Sequence, residues 1–114
     1  MNRDRDSLKK ILKEVYQNTS KLFDNKLIFA VLYGSYARGD YDFESDIDIA
    51  LIVDMERTEI KKYSKALVSQ MAYFLNMYDI VINFNEIPLK EFEEYKDTLP
   101  YYRNIYNEGV RIGA

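Results

Sequence analysis

The apolar residues of this chain fall into two kinds of pattern, helical stripes and short continuous runs. Leu8, Ile11, Leu12, Val15, Leu22 and Phe23 recur at helical spacing, which predicts an amphipathic helix from about Asp4 to Phe23. Asp24-Asn25 supplies a turn. Leu27 to Tyr33 is an apolar run of strand length stopped by Gly34, and Ile47 to Val53 is a second, rich in β-branched residues. Ile60, Tyr63, Leu67, Met71, Phe74 and Leu75 mark a helix from about Arg57 to Asn76. Asp79 to Phe84 reads as a third strand. Pro88 suits the first turn of a helix, which Phe92 and Tyr95 continue. A break at Asp97-Thr98-Leu99-Pro100 precedes a Tyr-rich last helix ending near Gly109. The predicted order is helix, strand, short helical turn, strand, helix, strand, helix, helix. That order defines an α/β (α+β) layer, a small mixed sheet flanked by helices.

Length and composition narrow the chemistry more than the fold. With 114 residues, the expectation is one domain, 1–114, with no second core. A chain of this size buries roughly two-thirds of its unfolded surface and folds without disulfides. Cysteine is absent, which removes disulfides, thiolate metal sites and a cysteine nucleophile. Histidine is absent too, which removes the usual general base and every Ser-His triad. Chemistry must then rest on carboxylates, hydroxyls, Lys or Arg, and a hard oxygen-bound cation such as Mg²⁺. The net charge is −3 with both signs interleaved, so direct nucleic acid binding is not expected. No apolar run reaches membrane-spanning length, and Met1-Asn2-Arg3-Asp4-Arg5-Asp6 lacks the apolar segment of a signal peptide. A cytoplasmic location is expected.

The chemistry-bearing residues sit between the first two predicted strands. Gly34 follows a strand and precedes a helical turn; without a Cβ it lets the backbone approach a ligand closely. Amides at a helix start favour phosphate, and the Ser35 hydroxyl adds a donor. An ordinary strand-to-helix turn would read the same way, since the P-loop lysine is missing. Asp46 and Asp48 are two apart on a strand, so both leave one face, with Cα atoms roughly 6.6 Å apart. That is near enough to bind one Mg²⁺, or to share a pair about 3.5–4 Å apart. Ile47, Ile49, Leu51 and Val53 face the opposite way. The alternative is a solvated strand end, weakened because the acids open an otherwise apolar strand. Asp79 opens the third predicted strand in the same manner and would join the pair if the strands are neighbours, as metal ligand and as base. Its alternative is a polar residue at a helix-strand junction.

Gly34-Ser35, ten residues, then Asp46-Ile47-Asp48 resembles the signature of the polymerase-β-like nucleotidyltransferase superfamily. With each fixed residue at roughly 5–7% usage, a chance match is on the order of one in a thousand. The fuller string, Gly-Ser-Tyr-Ala-Arg-Gly with Ser-Asp-Ile-Asp, is similar to the minimal nucleotidyltransferase family, antitoxins paired with HEPN-domain ribonuclease toxins. The resemblance spans nearly the whole chain and is strong in the motif and loose elsewhere. It implies Gly34 and Ser35 at the triphosphate of ATP or another NTP, Asp46 and Asp48 as Mg²⁺ ligands, and Asp79 as the third acid. Arg38 belongs to the family string as well; it either contacts phosphate or pairs with Asp40 or Asp42, the structural role being favoured. The resemblance further implies AMP transfer to a tyrosine of a HEPN toxin within a hetero-oligomer. Tyr95, Tyr101, Tyr102 and Tyr106 suit such an interface or, equally, pack the last helix. A small-molecule (aminoglycoside-type) nucleotidyltransferase and a non-catalytic antitoxin acting by binding alone stand as alternatives.

Overall fold

The run from Ile47 to Val53 becomes an inner strand, and the other elements are arranged around it. The computed structural model describes residues 5–42 and 45–113. In chain order these form α1 (Arg5–Phe23), β1 (Leu27–Tyr33), α2 (Ser35–Arg38), β2 (Ile47–Val53), α3 (Arg57–Ile60), α4 (Ser64–Tyr78), β3 (Ile82–Pro88), α5 (Leu89–Tyr95), α6 (Pro100–Glu108) and β4 (Val110–Ile112). Single 3₁₀ turns lie at Asp24–Lys26 and Lys61–Tyr63.

The sheet order is β3-β2-β1-β4. β1 runs antiparallel to β2 and to β4, whereas β2 and β3 are parallel. A parallel pair needs a long crossover, and α3 and α4 provide it. On one face, Ile47, Ile49, Leu51 and Val53 meet Ile11, Val15 and Phe23 of α1 and Leu67 and Phe74 of α4. On the other, Ala50 and Ile52 meet Val31, Ile87, Phe92 of α5 and Ile105 of α6. A strand covered on both sides is apolar at every covered position, hence the unbroken run from Ile49 to Val53. The second face changes character toward the start of β2, where Asp48 takes the place of a core residue and is only half-buried.

Most predicted elements are present, β1 and β2 with the expected ends. The helix expected from Arg57 to Asn76 is α3, a 3₁₀ turn and α4, ending at Tyr78. Asp4, the expected start of the first helix, lies outside the described residues. Two features depart from expectation. The third strand starts at Ile82 rather than Asp79 and runs on to Pro88, which caps α5 from its N-terminal side. Beyond Gly109 a short strand, β4, adds to the outer edge of β1; three residues are too few to carry a periodicity. Among the described residues, no helix is long and apolar enough to cross a membrane.

Candidate active site

Gly34 joins β1 to α2 with φ 76° and ψ −153°, a region open essentially to glycine alone. A Cβ there would stand 2.5 Å from Asp48 Oδ2. The glycine is therefore required twice, once by its backbone angles and once because the Asp48 carboxylate packs against it. The following turn closes through the Gly34 carbonyl, which accepts from the amides of Ala37 and Arg38, both at 3.1 Å. α2 stops at Gly39, in the left-handed conformation with φ 82°. Ser35 is the first residue of α2 and is half-buried.

Asp46 and Asp48 leave the α5–α6 side of the sheet, as two residues one apart from a shared neighbour must. β3 brings a partner to them. Asn83 lies opposite Asp48 in the parallel register, and its Nδ2 donates to Asp46 Oδ2 at 3.1 Å and to Asp48 Oδ1 at 3.3 Å. Two carboxylates on one face repel each other. A single amide shared between them draws them together without changing the charge. The two hard carboxylate oxygen groups suit a divalent cation whose remaining ligands are phosphates and water, while the Asn83 amide, a hydrogen-bond donor, holds them in place. Asn83 was not singled out by sequence, although a signal existed: Asn83 and Asn85 are two polar, strand-averse residues at spacing two in an apolar strand.

Asp79, expected as the third acid, is placed at the end of α4 rather than on β3. It is the residue just past α4, with φ 55° and ψ 45°, and its amide bonds the Leu75 carbonyl at 2.9 Å. Asp tolerates this left-handed turn better than most residues, so the helix end, not the strand start, fixes its place. Ile80 is buried and Val81 accepts from the Ile47 amide at 2.9 Å, so the extended segment begins its pairing only after the turn. Among the described residues, no group of three or more His, Cys, Asp or Glu side chains is placed to hold a metal ion. The position facing Asp48 belongs to Asn83.

Tyrosines wall the acid end of the sheet. Tyr33 is opposite Asp48 in the β1–β2 register, and its Oη is 2.8 Å from Tyr101 Oη. Burial, with the Tyr101 hydrogen bond and the charge of Asp48, pushes the Tyr33 phenol well above its ordinary range. Asn85 donates to Tyr101 Oη. Tyr102 is half-buried against the α5–α6 core, whereas Tyr101 and Tyr106 are exposed. The expectation that the cluster packs the last helix is met at Tyr102. Arg38 Nε donates to Asp40 Oδ2 at 3.3 Å in an exposed pair, the structural role favoured for it; such pairs contribute at most about 1 kcal/mol.

A Gly-Ser turn packed on a carboxylate pair, at the end of a small mixed sheet with helices on both faces, defines a nucleotidyl-transfer domain of the polymerase-β-like fold. The family model described as Polymerase beta, Nucleotidyltransferase matches residues 9–112, and the chain belongs to that family of enzymes, within its minimal nucleotidyltransferase branch. It is 40% identical over 104 residues to "Putative protein adenylyltransferase MJ0141" of Methanocaldococcus jannaschii, covering 90% of this chain and 95% of that one. It is 30% identical over 100 residues to "Putative protein adenylyltransferase MJ0604" of the same organism, covering 88% of this chain and 92% of the relative.

Proposed function

We propose that this chain is a Mg²⁺-dependent protein adenylyltransferase that moves AMP from ATP to a tyrosine hydroxyl of a HEPN-domain toxin, and so serves as its antitoxin. The observation that carries the reading is the Asp46–Asp48 pair, held together by one Asn83 amide and packed against Gly34. The names of the two M. jannaschii relatives described above support a protein acceptor.

In this reading Gly34 and Ser35 receive the triphosphate, which only a residue without Cβ lets approach Asp48 so closely. Arg38 ends the same turn, and its exposed pair with Asp40 is weak enough to be exchanged for a phosphate. Asp46 and Asp48 supply two oxygen ligands to Mg²⁺, and the nucleotide and water supply the others, the usual manner of binding for this ion. When bound, Mg²⁺ neutralises the phosphates and stabilises charge at the attacked phosphorus. Asn83 keeps both carboxylates aimed at one place. The chain acts as a single domain, 1–114, in the cytoplasm where ATP and the toxin's RNA are found, and the acceptor tyrosine is presented by the toxin in a hetero-oligomer.

The test is to incubate the protein with Mg²⁺, ATP and its neighbouring gene product and to read the intact mass of both chains. The partner is expected to gain AMP. Asp46→Asn should lower transfer by about a hundredfold or more, since losing a metal ligand costs several kcal/mol at the transition state. Full neutralisation of the toxin by Asp46→Asn would instead show an antitoxin that works by contact alone.

A further inference from the structure

The acid end of the sheet carries a hydroxyl of its own. Tyr101, the second residue of α6, is 43% exposed, yet two partners fix its Oη: the Asn85 amide and the Tyr33 hydroxyl, the latter at 2.8 Å. The Tyr33 and Tyr101 rings meet edge to face with centroids 5.9 Å apart. Asn85 is two residues along β3 from Asn83, on the same face. One strand step of roughly 6.6 Å therefore separates the amide that holds Tyr101 from the amide that holds Asp46 and Asp48. Tyr33 closes the other side, opposite Asp48 and next to Gly34 in the chain. The phenol is thus tethered beside the carboxylate pair and open to solvent, which is where an acceptor hydroxyl has to stand.

We propose that Tyr101 is a nucleotide acceptor in its own right, so that the chain adenylylates itself in cis. The inference rests on the reading of Asp46 and Asp48 as the transfer site. Tyr101 Oη forms a bond to the α-phosphorus of ATP while the bond from that phosphorus to the bridging oxygen breaks, and pyrophosphate leaves. The phenol proton of the solvent-exposed Tyr101 passes to water as the bond to phosphorus forms, so the balance is ATP and tyrosine to tyrosyl-AMP, pyrophosphate and a proton. Other tyrosines nearby are less suited. Tyr33 is half-buried, Tyr36 is buried and stacked on Tyr41 at 4.1 Å, and Tyr102 donates to Glu91 at 3.0 Å.

The full chain, incubated alone with Mg²⁺ and ATP, is expected to gain the mass of one AMP, and peptide mapping should place it on Tyr101. The rate should be first order and independent of protein concentration, as a cis reaction requires. Tyr101→Phe keeps the ring and removes only the hydroxyl; it should lower incorporation at least tenfold. A parallel reaction adds the neighbouring gene product to the wild-type chain. If the partner is modified and the chain is not, self-transfer is overturned while the transfer site stands. AMP on a residue other than Tyr101, or a rate that rises with concentration, also overturns it. If neither chain is modified with ATP, GTP, CTP or UTP, the transfer site and the self-transfer fall together.

Discussion

Gly34 and Asn83 show how single residues set this site. Gly34 combines φ 76° with a carboxylate where its Cβ would be. Gly34→Ala should lower the unfolding free energy by about 1–3 kcal/mol, the cost of a strained residue, and weaken nucleotide binding as Asp48 is pushed aside. Urea unfolding and a fluorescent-nucleotide titration measure the two effects, and a fully stable, fully binding variant would refute the packing account. Asn83 was legible only as an oddity in a strand, because its role depends on which residue of β2 stands across from it. Asn83→Asp puts a third negative charge among the acids, raising repulsion when no cation is present. The variant should melt lower than wild type in chelator and gain more from added Mg²⁺. Equal Mg²⁺-dependent shifts in thermal unfolding for the two proteins would show that position 83 does not face the cation.

At the scale of elements, the apolar runs and stripes were sufficient for β1, β2, α1 and the two C-terminal helices. Asp79 was read as a strand opener because Ile80-Val81-Ile82 is apolar, but an apolar triplet serves equally in a buried connection. The turn that ends α4 was decided by backbone geometry, which no side-chain pattern displays. Packing between α1 and α4 has a measurable signature. Glu14 accepts from the hydroxyls of Tyr78 and Tyr73, and the hydrogen bond to Glu14, followed by burial, pushes the Tyr78 phenol up to about 12. A phenol raised in the folded state contributes stability that is complete below its ordinary value of 10.0 and is lost as pH rises through about 12. Glu14→Ala should return Tyr78 toward the ordinary value. The difference in ultraviolet titration between each protein and its Tyr78→Phe counterpart reads this directly, and an unchanged titration would dismiss the α1–α4 contact as its cause.

For the molecule as a whole, the site joins β1, α2, β2 and β3, so a ligand there ties together most of the sheet. A ligand present at about a hundred times its Kd stabilises by about 2.7 kcal/mol, and for a small domain each kcal/mol moves the melting temperature by roughly 4–8 °C. Mg²⁺ with ATP should then raise the midpoint by roughly ten to twenty degrees in the wild type and by far less in Asp46→Asn. A similar rise in both proteins would place the nucleotide elsewhere.

The sequence by itself determined the class of chemistry. The absence of His and Cys left carboxylates, hydroxyls, Lys or Arg and a hard cation, and Gly34-Ser35 with Asp46-x-Asp48 lies within one strand-turn-strand unit, where local geometry alone decides which face the acids take. Tertiary structure decided what meets that face. Strand pairing set Asn83 against the acids, and the docking of α6 brought Tyr101 to Tyr33 from 68 residues away. Period and spacing are properties of neighbours in the chain, whereas register between strands and the seat of a helix are fixed by the packing of both faces of the sheet.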